Sequence, residues 1–221
     1  MPNPTDKLER SRLYFVCEGG EDGERLENLL EAALAGGADL IQLRDKDADD
    51  DRLLAAAPLF RAAADRHGAL FLINDRPDLV AACAADGVHV GQDDIPVAEA
   101  RALAGAEAIV GLSTHSPPQL RAANDAGGDA RPDYISVGPV WATPTKPGRP
   151  AAGLGYVEKA AKDSEIPWFA IGGIEPGNLA RVVAAGATRV VVVRAIRDAD
   201  SPEAVAASLR HGLGAGRPEI G

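Results

Sequence analysis

The chain has 221 residues, 46% of them hydrophobic but only 4% aromatic, and a formal net charge of −10. That composition supplies one sizeable core built from Ala, Val, Leu and Ile, and the lack of a Lys/Arg block excludes a basic nucleic-acid-binding face. No stretch approaches the roughly 20 apolar residues of a membrane span, and the N-terminal MPNPTDKLERS has no signal-peptide core, so a cytoplasmic protein is expected.

Residues 1–10 are polar and expected to be loose. Short, β-branched, nearly continuous apolar runs then recur along the chain, the pattern of strands buried on both faces. The first strand is read at Leu13–Cys17, followed by a helix over Glu24–Ala35 that stops at Gly36-Gly37. Leu40–Leu43 is the second strand, with a helix over Asp50–His67 ending at Gly68. Leu70–Ile73, Gly87–Val90 and Ala108–Leu112 are strands three to five, with Pro77, Pro96 and Pro117 placed to open the helices that follow them. Tyr134–Val137, Trp168–Ile171 and Val190–Val193 complete the set, with a helix over Pro176–Ala185 before the last strand. Gly212 to Gly221 is expected to fray. Cys17 and Cys83 lie in or beside apolar runs without metal-ligand spacing, and read as buried, reduced thiols.

Eight strand–helix units predict a single (β/α)8 barrel over residues 11–211, flanked by flexible segments at 1–10 and 212–221. An open doubly wound sheet would gather its ligand at one switch point. Here polar residues follow strands two through seven almost without exception, which suits a barrel that builds its site where its strands end.

Those polar stretches are chemically distinct. Gln42, Arg44 and Lys46 alternate, so a period of two puts all three on one side of the second strand. A guanidinium and an ammonium there suit phosphate, against the plainer alternative of surface pairs with Asp45, Asp47 or Asp49. Asp75 and Asp94 end neighbouring units and would need a cation between them to stay ionised; Mg²⁺ takes one or two carboxylates plus substrate phosphates. Helix capping before Pro77 or Pro96 accounts equally for these carboxylates, and spacing alone barely separates Asp93 from Asp94 as the ligand. Thr143, Thr145 and Lys146 sit in the longest irregular stretch, Trp141 to Gly155, and suit a phosphate-gripping lid or an ordinary exposed turn. Gly172-Gly173 and Val193-Arg194 follow strands seven and eight, where barrels often bind phosphate through backbone amides. Ser113-Thr114-His115 contains no nucleophile elbow; Ser113 is read as a hydrogen-bond donor, His115 as an acid/base or, more readily, a capping or structural residue before Ser116-Pro117, and His67 and His89 receive no role.

Together and in this order, Gln42–Lys46, Ile73-Asn74-Asp75, Asp86–Asp94, Gly138-Pro139-Val140 with Thr143–Lys146, and Ala170–Ile174 resemble the thiamine-phosphate synthase (thiamine-phosphate pyrophosphorylase) family, over about Leu13 to Leu209. The resemblance implies a transferase of thiamine biosynthesis that joins a hydroxymethylpyrimidine diphosphate to a thiazole phosphate and releases pyrophosphate. It implies that Gln42, Arg44, Lys46 and Asn74 hold the pyrimidine diphosphate, that Asp75 and Asp94 ligate Mg²⁺, and that Ser113 and Lys146 face the diphosphate. Thr143, Thr145 and the backbone of Gly173, Val193 and Arg194 would then receive the thiazole phosphate. The family commonly has serine where this chain has Arg194, a departure on the thiazole side. Expected partners are these small molecules, with neither nucleic acid nor membrane, and a homo-oligomer is compatible with the sequence. Ser113-Thr114-His115 also resembles the related thiazole tautomerases, but these have no use for Arg44, Lys46, Asp75 and Asp94 together. A non-catalytic thiamine-phosphate-binding paralogue would likewise not need both carboxylates. Another phosphosugar barrel enzyme is permitted by fold alone.

Overall fold

The computed structural model describes residues 3–20, 22–142 and 150–214. Eight parallel strands close into a barrel in chain order: β1 Leu13–Cys17, β2 Leu40–Leu43, β3 Leu70–Asn74, β4 Gly87–Val90, β5 Ile109–Thr114, β6 Tyr134–Val137, β7 Trp168–Ile171 and β8 Val190–Val192. Closure is made by β1 against β8, with Leu13 opposite Val190 and Phe15 opposite Val192. Outer residues such as Phe15, Ile41, Phe71 and Val88 pack under the surrounding helices. The inward phase carries Tyr14, Leu40, Leu70, Leu72, Ile109, Tyr134, Phe169 and Val191, which fill the barrel interior.

Local chemistry sets the helix ends. In α2 (Gly23–Ala35) and α3 (Asp50–His67), the carboxylates of Asp22 and Asp49 accept from the backbone N–H of Arg25 and Arg52, both at 3.0 Å. α3 continues through Pro58, which is exposed, so the carbonyl it leaves unbonded faces water rather than core. The remaining helices are α4 Val97–Ala104, α5 Pro117–Asp125, α6 Leu154–Asp163, α7 Leu179–Ala184, α8 Arg194–Arg197 and α9 Pro202–Gly214. Among the described residues no helix is long and apolar enough to cross a membrane.

Four expectations are corrected. Residues 1–10 are not simply loose: Pro4–Arg10 forms helix α1, capped by Asn3, whose side chain accepts from Asp6 N–H at 2.9 Å. Its Leu8 is only 1% exposed and joins the inner cluster, so the segment stays ordered by stoppering one end of the barrel. The third unit has no α-helix; Pro77–Leu79 makes one 3₁₀ turn and further turns lead to β4. The helix expected at Pro176–Ala185 is α7 alone, because the Asn178 side chain ties the preceding turn, accepting from Glu175 N–H and donating to the Gly173 carbonyl. At the other end α9 runs to Gly214 with Leu213 2% exposed, so Gly212 to Gly214 belong to the fold.

Candidate active site

A cavity of about 330 Å³ opens where the strands end. Each strand contributes through its inward register. From β2 come Gln42, Arg44 and Lys46, all of which line the cavity, whereas Leu43 and Asp45 do not. Gln42 is 3% exposed and its Nε2 has no hydrogen-bond partner, so a buried amide donor stands unsatisfied in the cavity floor. Arg44 has no carboxylate partner among the described residues. Lys46 Nζ lies 3.1 Å from Asp75 Oδ2.

β3 ends in Asn74, and Asp75 follows with φ +59°, a left-handed conformation that a short polar side chain tolerates. The Asp75 backbone N–H donates to the His89 carbonyl at 2.9 Å, which fixes this turn to β4. Burial pushes the Asp75 carboxyl above its ordinary pKa; Lys46 opposes the shift and the neighbouring Asp94 adds to it. Asp94 accepts from the Gly91 N–H at 2.8 Å, and a Cβ on Gly91 would stand 2.6 Å from that same carboxylate oxygen. Asp93 is exposed and does not line the cavity, so of the two it is Asp94 that borders the site. Two carboxylates, one of them reluctant to ionise, therefore face a cation-rich rim.

Ser113 lies inside β5 rather than beyond it. The strand runs two residues further than its apolar pattern because Ser113 and Thr114 pair with Ser136 and Val137 of β6. The Thr114 hydroxyl donates to the Ser136 carbonyl at 2.8 Å and accepts from the Tyr156 hydroxyl at 2.7 Å, which satisfies it within the wall. His115 lines the cavity and holds its Nδ1 2.7 Å from the Gly138 carbonyl. β8 ends at Val192, one residue short of the expected boundary, and Val193 caps α8. Gly172, Gly173, Val193 and Arg194 all line the cavity, Gly172 and Gly173 with φ of +109° and +68°. A Cβ on Gly172 would stand 2.6 Å from Pro139 Cα, so only glycine lets these two loops touch. Thr143, Thr145 and Lys146 lie outside the described residues.

His89, Tyr14 and Ser136 also line the cavity and were missed as site residues. His89 carried a usable signal: it is the lone polar side chain between Val88 and Val90, at the inward phase of an otherwise apolar strand. Cys17 and Cys83 are free and buried, burial pushes both thiols up, and neither lines the cavity.

Residues 13–196 match the family model for thiamine monophosphate synthase. The chain is 51% identical over 208 residues to a thiamine-phosphate synthase of Thermobifida fusca, covering 94% of each chain. It is 48% identical over 218 residues to that of Mycobacterium bovis, covering 94% of this chain and 96% of the relative. The solved thiamine phosphate pyrophosphorylase of Pyrococcus furiosus superposes with a TM-score of 0.82 at 29% identity, over 96% of this chain and 98% of that one. A barrel closed in the same way, with relatives this similar from end to end, leaves one conclusion: the chain belongs to the thiamine-phosphate synthase family of transferases.

Proposed function

We propose that the chain joins 4-amino-5-hydroxymethyl-2-methylpyrimidine diphosphate to 4-methyl-5-(2-phosphooxyethyl)thiazole, or to its carboxylated form, giving thiamine monophosphate and pyrophosphate. With the carboxylated acceptor, CO₂ is also released. The observation that carries this reading is the convergence of Arg44, Lys46, Asp75 and Asp94 on one cavity rim above the unsatisfied amide of Gln42. A simple phosphate-binding site would not need the two acidic groups, and a metal site alone would not need the two cations.

The donor set fits Mg²⁺: Asp75 and Asp94 offer oxygen ligands only, and substrate phosphates and water would complete the shell. Burial and Asp94 both favour a neutral Asp75, so a cation beside the pair stabilises its charged form. A bound Mg²⁺ supplies charge neutralisation of the diphosphate. The chain's own residues do the rest. Arg44 and Lys46 meet the charge that grows on the departing pyrophosphate, and Asn74 and Ser113 offer hydrogen bonds beside them. Lys146 would add a third cation from the loop. The C–O bond to the pyrimidine methylene breaks with its electron pair leaving on pyrophosphate, and the electron-rich aminopyrimidine stabilises the cationic carbon. The thiazole nitrogen lone pair then forms the C–N bond. Thr143, Thr145 and the backbone of Gly173, Val193 and Arg194 would hold the thiazole phosphate so that this nitrogen is in reach. Apolar walls from Val16, Ile171 and Val191 keep water from competing for the same carbon. No protein nucleophile is required, in keeping with the burial of both thiols.

The test is pyrophosphate release by purified protein with both substrates and Mg²⁺, against omission of each. Release dependent on all three is expected. No release, with thiazole phosphate still bound, would overturn the proposal in favour of a tautomerase or a binding protein.

A further inference from the structure

We propose that His89 is a positioning residue that decides which way the Ser113 hydroxyl points, through a directed hydrogen-bond chain inside the barrel. Tyr14 Oη lies 3.1 Å from Tyr134 Oη, Tyr134 Oη lies 2.8 Å from His89 Nδ1, and His89 Nε2 lies 2.9 Å from Ser113 Oγ. The Ser136 hydroxyl donates to Ser113 Oγ at 3.5 Å. All five side chains are buried, the most exposed being His89 at 9%. The chain lies along the cavity: Tyr14, His89, Ser113 and Ser136 all form part of the lining, and the linking Tyr134 ring packs against Phe169 behind them.

The sequence makes room for this chain by an omission. His89, Gly111 and Tyr134 sit side by side on β4, β5 and β6. A Cβ at position 111 would stand 2.1 Å from Tyr134 Cζ, so the Tyr134 ring crosses β5 only because residue 111 is glycine. It thereby stacks on the His89 ring, with centroids 5.5 Å apart, and delivers its hydroxyl to Nδ1.

Two directions are available to such a chain. In one, Tyr14 donates to Tyr134, Tyr134 donates to Nδ1, and Nε2–H donates to Ser113 Oγ. Ser113 then accepts from His89 at 2.9 Å, with the Ser136 hydroxyl at a longer 3.5 Å, and its own proton is left for the cavity. In the other, Ser113 spends its proton on a bare Nε2 and shows the cavity a lone pair. An anionic oxygen in the cavity accepts the first and is repelled by the second. Burial pushes the pKa of both phenols up, so they remain protonated donors. His89 thus acts on the reaction through Ser113. The identity of the anion, the departing pyrophosphate, rests on the function proposed above.

The side-chain amide of glutamine reaches the Nε2 position of histidine, and that of asparagine reaches only Nδ1. His89→Gln should therefore keep kcat within about fivefold, while His89→Asn should lose about 10- to 100-fold, the size of one hydrogen bond to a charged oxygen. The KM for thiazole phosphate should stay unchanged in both. Adding His89→Asn to Ser113→Ala should cost little more, because the histidine then has nothing left to orient. Nitrogen NMR of ¹⁵N-histidine-labelled wild-type protein with inorganic pyrophosphate and Mg²⁺ should show the ring protonated on Nε2, the signal being assigned by its loss in His89→Gln. Tyr134→Phe preserves the ring and removes the donor to Nδ1, and should lower both kcat and the Nε2–H population. Equal activity of the Gln and Asn variants, additive losses with Ser113→Ala, or a ring protonated only on Nδ1 would each overturn the proposal. Failure of the wild type itself to release pyrophosphate would overturn the synthase reading instead, and the ring tautomer would still be read.

Discussion

Asp75→Asn removes one charge and preserves shape, and it separates the chemistry of the rim from its architecture. Asparagine tolerates the left-handed φ of +59° at this position, so the turn from β3 should survive. The substitution loses the Lys46 ion pair, 3.1 Å long with side chains 52% and 23% exposed. A partly solvated pair of this kind contributes about 0.2–1 kcal/mol. Against that stands the raised pKa of Asp75, caused first by burial, countered by Lys46, and reinforced by Asp94. A carboxyl whose pKa is higher folded than unfolded binds more protons in the folded state. Its ionisation therefore costs stability as pH rises through that window, and asparagine removes the cost. The two effects oppose each other, so net stability should change by no more than about 1 kcal/mol, or about 2–4 °C in Tm for a domain of this size. Turnover should fall about 100-fold or more, the scale on which removal of one preorganised charge-stabilising group is felt. The assay is pyrophosphate release across a Mg²⁺ titration, with calorimetry on the same preparations. Turnover within threefold of wild type would refute a role for the carboxylate in the reaction. A Tm loss above about 10 °C would show that Asp75 holds the fold instead.

Two further substitutions test how the barrel and its site loops are held. Leu8→Ala should cost about 2–5 kcal/mol in urea denaturation, since Leu8 is 1% exposed at the end of the barrel where the strands start; a loss below about 1 kcal/mol would mean that α1 does not dock there. Gly172→Ala should cost about 1–3 kcal/mol and raise the KM for thiazole phosphate, because the new Cβ meets Pro139 at 2.6 Å and φ is +109°; Gly127→Ala, which opens onto free space, is the control. Equal behaviour of the two glycine variants would refute the close approach of the loops.

Much of the fold was legible because the dominant signal, short apolar runs alternating with Ala/Leu-rich segments, is local. Seven of the eight strands begin where their apolar runs begin, and α3 spans the residues read for it despite Pro58. Errors fell where long-range packing overrides local polarity. Pro4–Arg10 looks solvated residue by residue, yet one leucine in it is buried in the end of the barrel where the strands start. β5 outruns its apolar stretch because β6 offers Ser113 and Thr114 backbone partners that no neighbour in sequence reveals. The third unit loses its helix although Pro77 opens it well, because turns reach β4 without one.

The same division applies to the site. By itself the sequence determined that Gln42, Arg44 and Lys46 share one side of a strand, since that follows from a two-residue period, and that carboxylates and glycines stand at successive strand ends. Whether those ends meet depends on barrel closure, and only the tertiary structure decided it, pairing β1 with β8 across the whole length of the chain. Tertiary structure alone also decided the interior. His89, Ser113 and Tyr134 lie on three different strands, and Gly111 matters only as the space that Tyr134 occupies. Period and propensity act within a few residues, whereas hydrogen bonds and excluded volume act between strands dozens of residues apart.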